Sequence, residues 1–245
     1  MKVSILGSSS EGNCYILQGE RETLIIEAGV RFSDIKKALK FDLSNVVGCI
    51  ITHEHRDHSK ALVDFLKYGI KVLALPEVFN SHHVRCGAFC KHIEPNHGYR
   101  VGSFKIMALS AYHDVPCVSF VVEHPECGRL LFATDTMMLE YKVGGLNHIF
   151  IECNYTDECL QENIDRGLVP IEMRNRLLHT HMELQTTKSV LEANDLSQVY
   201  NIVLLHLSQN NGDGERCVRE IGSLTGKPVV VAKAGMEIEL MKNPF

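Results

Sequence analysis

Apolar and polar residues follow one another in short blocks along this chain. The apolar run of residues 46–51 predicts a strand that is buried on both faces. After a polar turn, apolar side chains recur at helical spacing between Ser59 and Gly69, and this glycine stands where a helix C-cap is expected. The pattern therefore predicts a strand, a polar turn and a helix in succession.

Similar patterns predict strands and helices in both halves of the chain. The predicted strands are Lys2–Leu6, Cys14–Gln18, Thr23–Glu27, Ile70–Ala74, Phe104–Leu109, Val118–Val122, Leu130–Thr134, Ile149–Glu152, Val199–His206 and Val229–Ala232. The predicted helices are Asp34–Leu39 with Ser33 as its N-cap, Pro76–Val84, Asp157–Arg166, Leu184–Ala193 and Glu215–Leu224. Because no linker or repeat interrupts this mixture, we predict one α/β domain over residues 1–245, with helices on the outer faces of its sheets.

The composition is that of a globular protein with a substantial core. The chain has 245 residues, of which 45% are apolar, and no tract is long enough to span a bilayer. The apolar run at the N-terminus is too short for a signal peptide. Nine cysteines are scattered without a CxxC pair, which is more typical of buried free thiols than of a disulfide framework. We therefore expect a cytoplasmic protein.

The net charge narrows the class of partner. A formal charge of −5 gives no basic footprint of the kind that a dedicated duplex-binding protein shows. Bound divalent cations would reverse this sign locally. A small phosphorylated ligand or a nucleic-acid end therefore stays compatible with the sequence, whereas a membrane partner is not expected.

The polar turn at residues 52–58 reads Thr-His-Glu-His-Arg-Asp-His. It brings the imidazoles of His53, His55 and His58 together with the carboxylate of Asp57. Such crowding is favourable only if a positive charge lies among these groups, and nitrogen and oxygen donors of this kind bind divalent transition metals. The turn therefore predicts a site for one or two metal ions.

Three more candidate ligands fall at the ends of predicted strands: His113, Asp135 and His206. Strand ends are places where polar groups from distant parts of a sequence converge. Taken singly, a histidine at a strand end is more often a surface residue. Together with the turn, however, these residues supply seven nitrogen and oxygen ligands in a defined order.

This set of motifs resembles that of the metallo-β-lactamase-fold hydrolases over essentially the whole chain. The resemblance implies an αββα sandwich of two mixed sheets with outer helices and a dinuclear metal site at one edge. Two divalent ions, Zn²⁺ or alternatively Mn²⁺, would lie about 3.5–4 Å apart and lower the pKa of a bridging water, which makes a hydroxide nucleophile. The implied ligands are His53, His55 and His113 for one metal, Asp57, His58 and His206 for the other, and Asp135 as the bridge.

The first motif of this family differs at one position. The family usually has Asp-Ala-Gly after its third strand, whereas this chain has Glu27-Ala28-Gly29. The acid generally orients the His-rich turn from behind the ligands. Because glutamate is longer by one methylene, the support of the turn is expected to differ, which leaves any subfamily assignment in doubt.

The segments around Glu152, His181 and residues 206–211 resemble the phosphodiesterase branch of the family. That branch contains tRNase Z, the YycJ/WalJ-type proteins and the PhnP-type cyclic phosphodiesterases. In the tRNase Z-like members a histidine that is not a ligand, paired with an acid, protonates the leaving oxygen. The resemblance thus implies that His181 is the general acid and Glu152 its partner, with Asp57 as a further catalytic residue. The alternative is that His181 only caps the following helix.

The Gly/Ser-rich loop at residues 7–13 and the stretch 206–211 look most like the YycJ/WalJ-type proteins, which are associated with nuclease activity on DNA ends. We therefore predict a dinuclear metal-dependent phosphodiesterase that uses a metal-bridged hydroxide, most simply a nuclease acting on DNA or RNA ends. One alternative is a cyclic nucleotide phosphodiesterase of the kind that phages use against defence signals. Another is a thioesterase or lactonase of the same fold, which would not need His181. Relatives are often dimers, so the resemblance leaves a homodimer open.

Two features have two interpretations each. The loop at residues 7–13 is either a plain hairpin connection or a loop that leans into the site. His82, Cys86 and Cys90 are spaced so that they could share one helix face and hold a structural zinc ion, but they lack the paired short spacings of zinc ribbons and fingers. A surface helix with buried thiols is the better interpretation of the second feature.

Overall fold

The structure, a computed structural model, describes residues 1–242. Its strands are β1 (Lys2–Gly7), β2 (Cys14–Gln18), β3 (Thr23–Ile26), β4 (Val46–Ile50), β5 (Val72–Ala74), β6 (Cys90–His92), β7 (Gly98–Val101), β8 (Phe104–Ala111), β9 (Cys117–His124), β10 (Gly128–Ala133), β11 (His148–Glu152), β12 (Asn201–Leu205), β13 (Val229–Val231) and β14 (Glu237–Glu239). Its helices are α1 (Phe32–Ala38), α2 (Arg56–Ser59), α3 (Leu62–Lys67), α4 (Pro76–Ser81), α5 (Asp157–Asp165), α6 (Ile171–Thr180), α7 (Leu184–Ala193) and α8 (Gly214–Thr225). Within residues 1–242, none of these helices has the length and hydropathy that crossing a bilayer requires.

The strands form two mixed sheets of seven strands each. The first sheet has the order β14-β1-β2-β3-β4-β5-β6 and the second the order β13-β12-β11-β10-β9-β8-β7. Strands β3 to β6 pair in parallel, as do β10 to β13, whereas the other neighbours are antiparallel. The carboxyl ends of parallel neighbours meet at one edge of a sheet, so the segments after β10, β11 and β12 emerge side by side.

The largest apolar core fills the space between the two sheets. Tyr15 of β2 and Phe132 of β10 are fully buried there and meet edge to face, with their ring centroids 5.0 Å apart. Full burial of a side chain such as Phe132 contributes about 1.5–3 kcal/mol to stability. A second core, which includes Leu191 of α7 and Ile221 of α8, lies on the outer face of the second sheet. The predicted α/β class and its αββα layering are confirmed.

The helix predicted between Ser59 and Gly69 is present as α3, which is shorter than predicted, and a second short helix, α2, forms at the end of the His-rich turn. The backbone carbonyls of Asp57 and His58 accept hydrogen bonds from the N–H groups of Asn13 and Ala28, each at 2.7 Å. These carbonyls would otherwise continue the helical ladder. The His-rich turn thus exchanges intrahelical bonds for bonds to two other loops, and these bonds fix its position.

The helix predicted over residues 76–84 also ends early, at the end of α4. His83 has a φ of 54°, which a right-handed helix does not allow. Cys86 is exposed and Cys90 lies in β6, half-buried. The interpretation as a surface helix with buried thiols is therefore wrong, and His82, Cys86 and Cys90 do not share a helix face.

The sequence patterns miss α6 and the strands β6, β7 and β14. They also place the start of α1 too late, because Arg31 is the N-cap residue and Ser33 lies inside the helix. Three of the missed elements are edge strands of three or four residues, and α6 buries only Leu177 and Thr180. Such elements carry little apolar periodicity for a sequence pattern to reveal.

Candidate metal centre

The His-rich turn follows strand β4 and lies beside the edge of the second sheet at which β10, β11 and β12 end. His55 is the N-cap residue of α2, and Asp57 and His58 follow within that helix. His53 and His58 are fully buried, and their rings lie 4.2 Å apart between centroids. The turn therefore presents its imidazoles as a compact group instead of dispersing them into solvent.

The first group of candidate ligands consists of His53, His55 and His113, whose donor atoms all lie within 4.8 Å of one another. His55 Nδ1 is 3.3 Å from His113 Nε2. His113 Nδ1 donates a hydrogen bond to the Thr180 carbonyl at 2.8 Å, so its Nε2 carries the lone pair that faces His55. Burial lowers the pKa of His113 and holds the pKa of His53 well below its usual range, which favours the neutral imidazoles that bind metals.

The second group consists of Asp57, His58 and His206. The side chain of Asp135 lies against this second group, because its Oδ2 is 3.1 Å from His58 Nε2 and its Oδ1 is 3.7 Å from His206 Nε2. His53, His58 and Asp135 form a further set of donors within 4.8 Å. The structure thus brings all seven predicted ligands together, and this further set connects Asp135 and the second group to His53 of the first group.

Buried polar atoms without partners mark the same place. Among residues 1–242, buried side-chain atoms without a hydrogen-bond partner include His53 Nε2, His206 Nε2, His58 Nδ1 and Glu27 Oε1. An unsatisfied buried polar atom costs about 1–3 kcal/mol. Nitrogen and carboxylate donors at these separations are the chemistry that divalent ions such as zinc and manganese accept, so the residues present fit a metal centre.

Glu152 and His181 form a tight pair beside this centre. His181 Nδ1 donates to Glu152 Oε1 at 2.6 Å, while Glu152 Oε2 accepts from the backbone N–H groups of Thr136 at 3.0 Å and Met182 at 3.3 Å. Burial lowers the pKa of His181, but the charge and hydrogen bond of Glu152 outweigh it and raise the pKa to about 9. The His181 ring stacks on that of His206, with centroids 5.3 Å apart.

The cap of α7 is a different residue. The N-cap of α7 is Glu183, whose carboxylate accepts from the Gln185 N–H. The interpretation of His181 as a mere cap of the following helix is therefore wrong. The histidine side chain is directed to Glu152 and to the metal centre instead.

Comparison with known proteins identifies the family. The family model described as the metallo-β-lactamase superfamily matches residues 9–139, which is more than half of the chain. The chain belongs to the metallo-β-lactamase superfamily. It is a metal-dependent hydrolase, and the fold of this superfamily implies divalent metal ions. The resemblance on which the sequence prediction rests is confirmed.

Individual relatives match this chain over most of their length. Exodeoxyribonuclease YycJ of Bacillus anthracis is 25% identical over 224 residues, which cover 85% of this chain and 83% of the relative. The crystal structure of the metallo-β-lactamase fold protein YhfI from Bacillus subtilis aligns with a TM-score of 0.73 at 16% identity, over 97% of this chain and 98% of that one. Human tRNase Z, short form, aligns with a TM-score of 0.64 at 15% identity, over 98% and 99% of the two chains. The two structural likenesses show the fold alone.

Glu27 is the residue at which this metallo-β-lactamase-fold protein differs from the usual first motif. Its side chain is fully buried behind the His-rich turn. Oε2 accepts from the Thr52 N–H at 3.4 Å, and Oε1 lies 3.4 Å from His58 Nδ1. The longer glutamate therefore contacts both the start of the turn and one of its ligands.

The loop at residues 7–13 joins β1 to β2 and also contacts the site. Ser8 Oγ accepts from the His206 N–H at 3.0 Å. The Asn13 N–H donates to the Asp57 carbonyl at 2.7 Å, and Asn13 Nδ2 lies 3.0 Å from His58 Nε2. The interpretation as a loop that leans into the site is thus the correct one.

Sequence reasoning missed two residues of the centre. Asn154 Nδ2 lies 3.0 Å from His206 Nδ1 and donates to the His206 carbonyl at 2.7 Å. Asp114 Oδ1 lies 3.1 Å from His113 Nε2 and 3.4 Å from His55 Nε2. Asn154 follows Glu152 by two residues and Asp114 follows His113 directly, so only adjacency to predicted site residues could have indicated either one.

Proposed function

We propose that this metal-dependent hydrolase is a phosphodiesterase that acts on nucleic-acid ends. The observation that carries the proposal is the Glu152–His181 pair, with 2.6 Å between Oε1 and Nδ1, directly beside the ligand groups. The leaving oxygen of a phosphodiester is an alkoxide unless it is protonated, so a positioned acid accelerates this reaction. An activated ester such as a thioester has no such need.

The ligand assignment is part of the proposal. When bound, two divalent ions supply Lewis-acid stabilisation of the phosphoryl oxygens and lower the pKa of a water that attacks phosphorus. Zinc suits these ligands best, with manganese as the alternative. His53, His55 and His113 would hold one ion and Asp57, His58 and His206 the other, with Asp135 as a further ligand.

The residues of the chain orient the proton donor. Two backbone N–H groups hold Glu152 Oε2, so Oε1 stays directed at His181. Glu152 accepts a hydrogen bond from the Nδ1–H group and stabilises positive charge on the ring, so the Nε2 proton can pass to the leaving oxygen. Of the two predicted carboxylate ligands, Asp57 is the more exposed, with 24% of its side chain accessible against 4% for Asp135. Asp57 is therefore the carboxylate that the attacking water can reach.

The preference for a nucleic-acid end draws support from the relatives. YycJ is named an exodeoxyribonuclease and covers most of this chain. The alternative substrates, a cyclic mononucleotide or an acyl ester, share the same ligand set and are separated by experiment.

The experiment is a substrate panel with the protein loaded with zinc or manganese. The panel contains a linear DNA, a structured RNA, a bis-aryl phosphodiester, cyclic mononucleotides, a thioester and a lactone. We expect hydrolysis of the aryl diester and release of nucleotides from a polymer. Hydrolysis of only the thioester or lactone contradicts the proposal.

The acid is tested by His181→Ala, with His179→Ala as the matched control because His179 is exposed on the same segment. We expect His181→Ala to lose turnover and to keep its metal content. Loss of the metals from His181→Ala would show that this histidine is a ligand and not the acid. The His179 variant should behave as the unmodified protein does in both measurements.

A further inference from the structure

A cleft of about 850 Å³ opens at the end of the second sheet that lies opposite the metal centre. Gly128 begins β10, Asn147 precedes β11 and Tyr200 precedes β12, and all three line the cleft. At their other ends, β10, β11 and β12 lead to the metal centre. With five or six residues each and about 3.3 Å per residue, the strands separate the cleft from that edge by about 17–20 Å.

The cleft has a surplus of positive charge. Arg100, Lys105, Arg129 and Lys242 line it, and among the lining residues that the structure describes, Glu123 supplies the only carboxylate. Lys105 Nζ and Arg129 Nε share this carboxylate at 2.7 Å and 3.0 Å. Four cations against one anion contrast with a chain whose net charge is −5. The lining of this cleft is therefore net positive in a chain that is negative overall.

The cations are accessible to a ligand. The side chains of Lys105 and Arg129 are 56% and 47% exposed. Arg100 forms no ion pair within the described part of the chain. The hydroxyl-bearing residues Ser103 and Tyr200 also line the cleft. Exposed cations with neighbouring hydroxyl groups are the contacts that proteins make to phosphate oxygens.

The cleft continues towards the metal centre along β8. A groove of about 470 Å³ on the face of β7 to β9 shares Arg100, Lys105 and Arg129 with the cleft. It reaches Met107, whose side chain is 41% exposed. The chain then reaches His113 two residues after the end of β8. His113 lies eight positions after Lys105 in the sequence, which corresponds to about 27 Å of extended chain.

We propose that Arg100, Lys105 and Arg129 bind the phosphate backbone of a nucleic-acid chain whose end lies at the metal centre. This inference rests on the proposed function and specifies that the substrate is a nucleic-acid polymer. One nucleic-acid strand carries a phosphate about every 3.4 Å in a stacked helix, so about eight nucleotides span the distance. A mononucleotide or a dinucleotide occupies the metal centre without reaching the cleft.

The test compares Arg100→Gln/Lys105→Gln with a control of equal charge change. Lys67→Gln/Arg219→Gln suits this purpose, because both residues are exposed on helices and line neither groove. With metal-loaded protein, KM and kcat are measured for a 20-nucleotide single strand, a dinucleotide and a bis-aryl phosphodiester. Binding of a cleavage-resistant phosphorothioate 20-mer is measured in parallel as a function of salt.

Two lost contacts to a single strand should reduce the salt slope of log K by about 1.4, which corresponds to roughly tenfold weaker binding at 0.15 M salt. We therefore expect KM for the 20-mer to rise roughly tenfold in the cleft variant, with the dinucleotide and the aryl diester unaffected. The control variant should match the unmodified protein. An unchanged 20-mer KM and an unchanged salt slope in the cleft variant overturn the inference.

Failure of the proposed function has a different signature. If the metal-loaded protein cleaves no phosphodiester at all, the proposed function fails whatever the binding data show. If it cleaves the aryl diester while the 20-mer binds independently of Arg100 and Lys105, the proposed function stands and the backbone site fails. The thermal midpoint of each variant establishes that the substitutions leave the fold intact.

Discussion

The substitution Glu152→Gln tests the proposed acid because it removes a charge and keeps the shape of the side chain. In the protein, Oε2 accepts from the backbone of Thr136 and Met182, whereas Oε1 accepts from His181 Nδ1. A glutamine satisfies the two backbone donors only with its carbonyl oxygen, so its NH₂ group faces His181. The ring must then accept at Nδ1, which leaves it neutral and a weak acid.

The size of the effect follows from the contact that is lost. Burial lowers the pKa of His181, but the charge and hydrogen bond of Glu152, with a smaller contribution from the charge of Asp135, raise it to about 9. A hydrogen bond to a charged partner contributes about 1.5–3 kcal/mol. If that energy is expressed in the transition state, kcat falls about 10- to 150-fold.

The assay uses two diesters that differ in their leaving group. The leaving group of a nucleotide polymer is a sugar alkoxide, which needs a proton. The leaving group of a nitrophenyl diester is a stabilised phenolate, which does not. We expect Glu152→Gln to lose activity on the polymer, to retain most activity on the nitrophenyl ester and to keep its metal content. Equal losses on both substrates, or a fall in bound metal, would refute the reasoning.

Three further outcomes are expected. Glu27→Gln should weaken metal affinity about 10- to 100-fold, because it disturbs a contact behind His58. Metal content after dialysis against a chelator measures this effect, with the exposed Glu239→Gln as the control. Removal of metal should lower the thermal midpoint by about 8–16 °C, since an ion at a thousand times its Kd stabilises by about 4 kcal/mol, and a fluorescence melt with and without chelator shows it. Burial raises the pKa of Glu22, but hydrogen bonds from Ser103 and His124 outweigh it and hold the pKa below its usual value of 4.5. The stabilisation is thus present above about pH 4.5 and is lost as the pH falls through the lower pKa of the folded state. In an acid titration, Glu22→Gln should therefore lose less stability with falling pH than the unmodified protein does.

The convergence of the seven candidate ligands was predictable from the sequence because its signals are local. The His-rich turn follows a strongly apolar strand, and Asp135 and His206 each follow another. Parallel pairing of β10, β11 and β12 then places their ends side by side, which a pattern of strands separated by helices already indicates. The Glu152–His181 contact also joins two predicted residues.

Other parts of the site depend on contacts between distant segments, and no local pattern reports these. The division between α2 and α3 results from hydrogen bonds that Asn13 and Ala28 donate to carbonyls of the turn. The environment of Cys90 was predicted wrongly. Cys90 lies in a three-residue edge strand, which is too short to show a periodic pattern, whereas the spacing of the thiols matches a helix. Asn154 is a single polar residue, and its role follows only from its contact with His206.

Backbone strain shows how the strand ends are converted into a site. Glu27, Asp135 and His206 have φ values of 66°, 50° and 51°, in the left-handed region that residues with a Cβ usually avoid at a cost of about 1–2 kcal/mol each. All three lie within two residues of a strand end, where the backbone must turn aside to direct its side chain across the edge. His206 and Glu27 also contribute buried atoms without partners. Strain at all three strand ends and unpartnered polar atoms at two of them indicate a geometry that a bound ligand compensates. We therefore expect the metal centre and the stability of the fold to depend on each other.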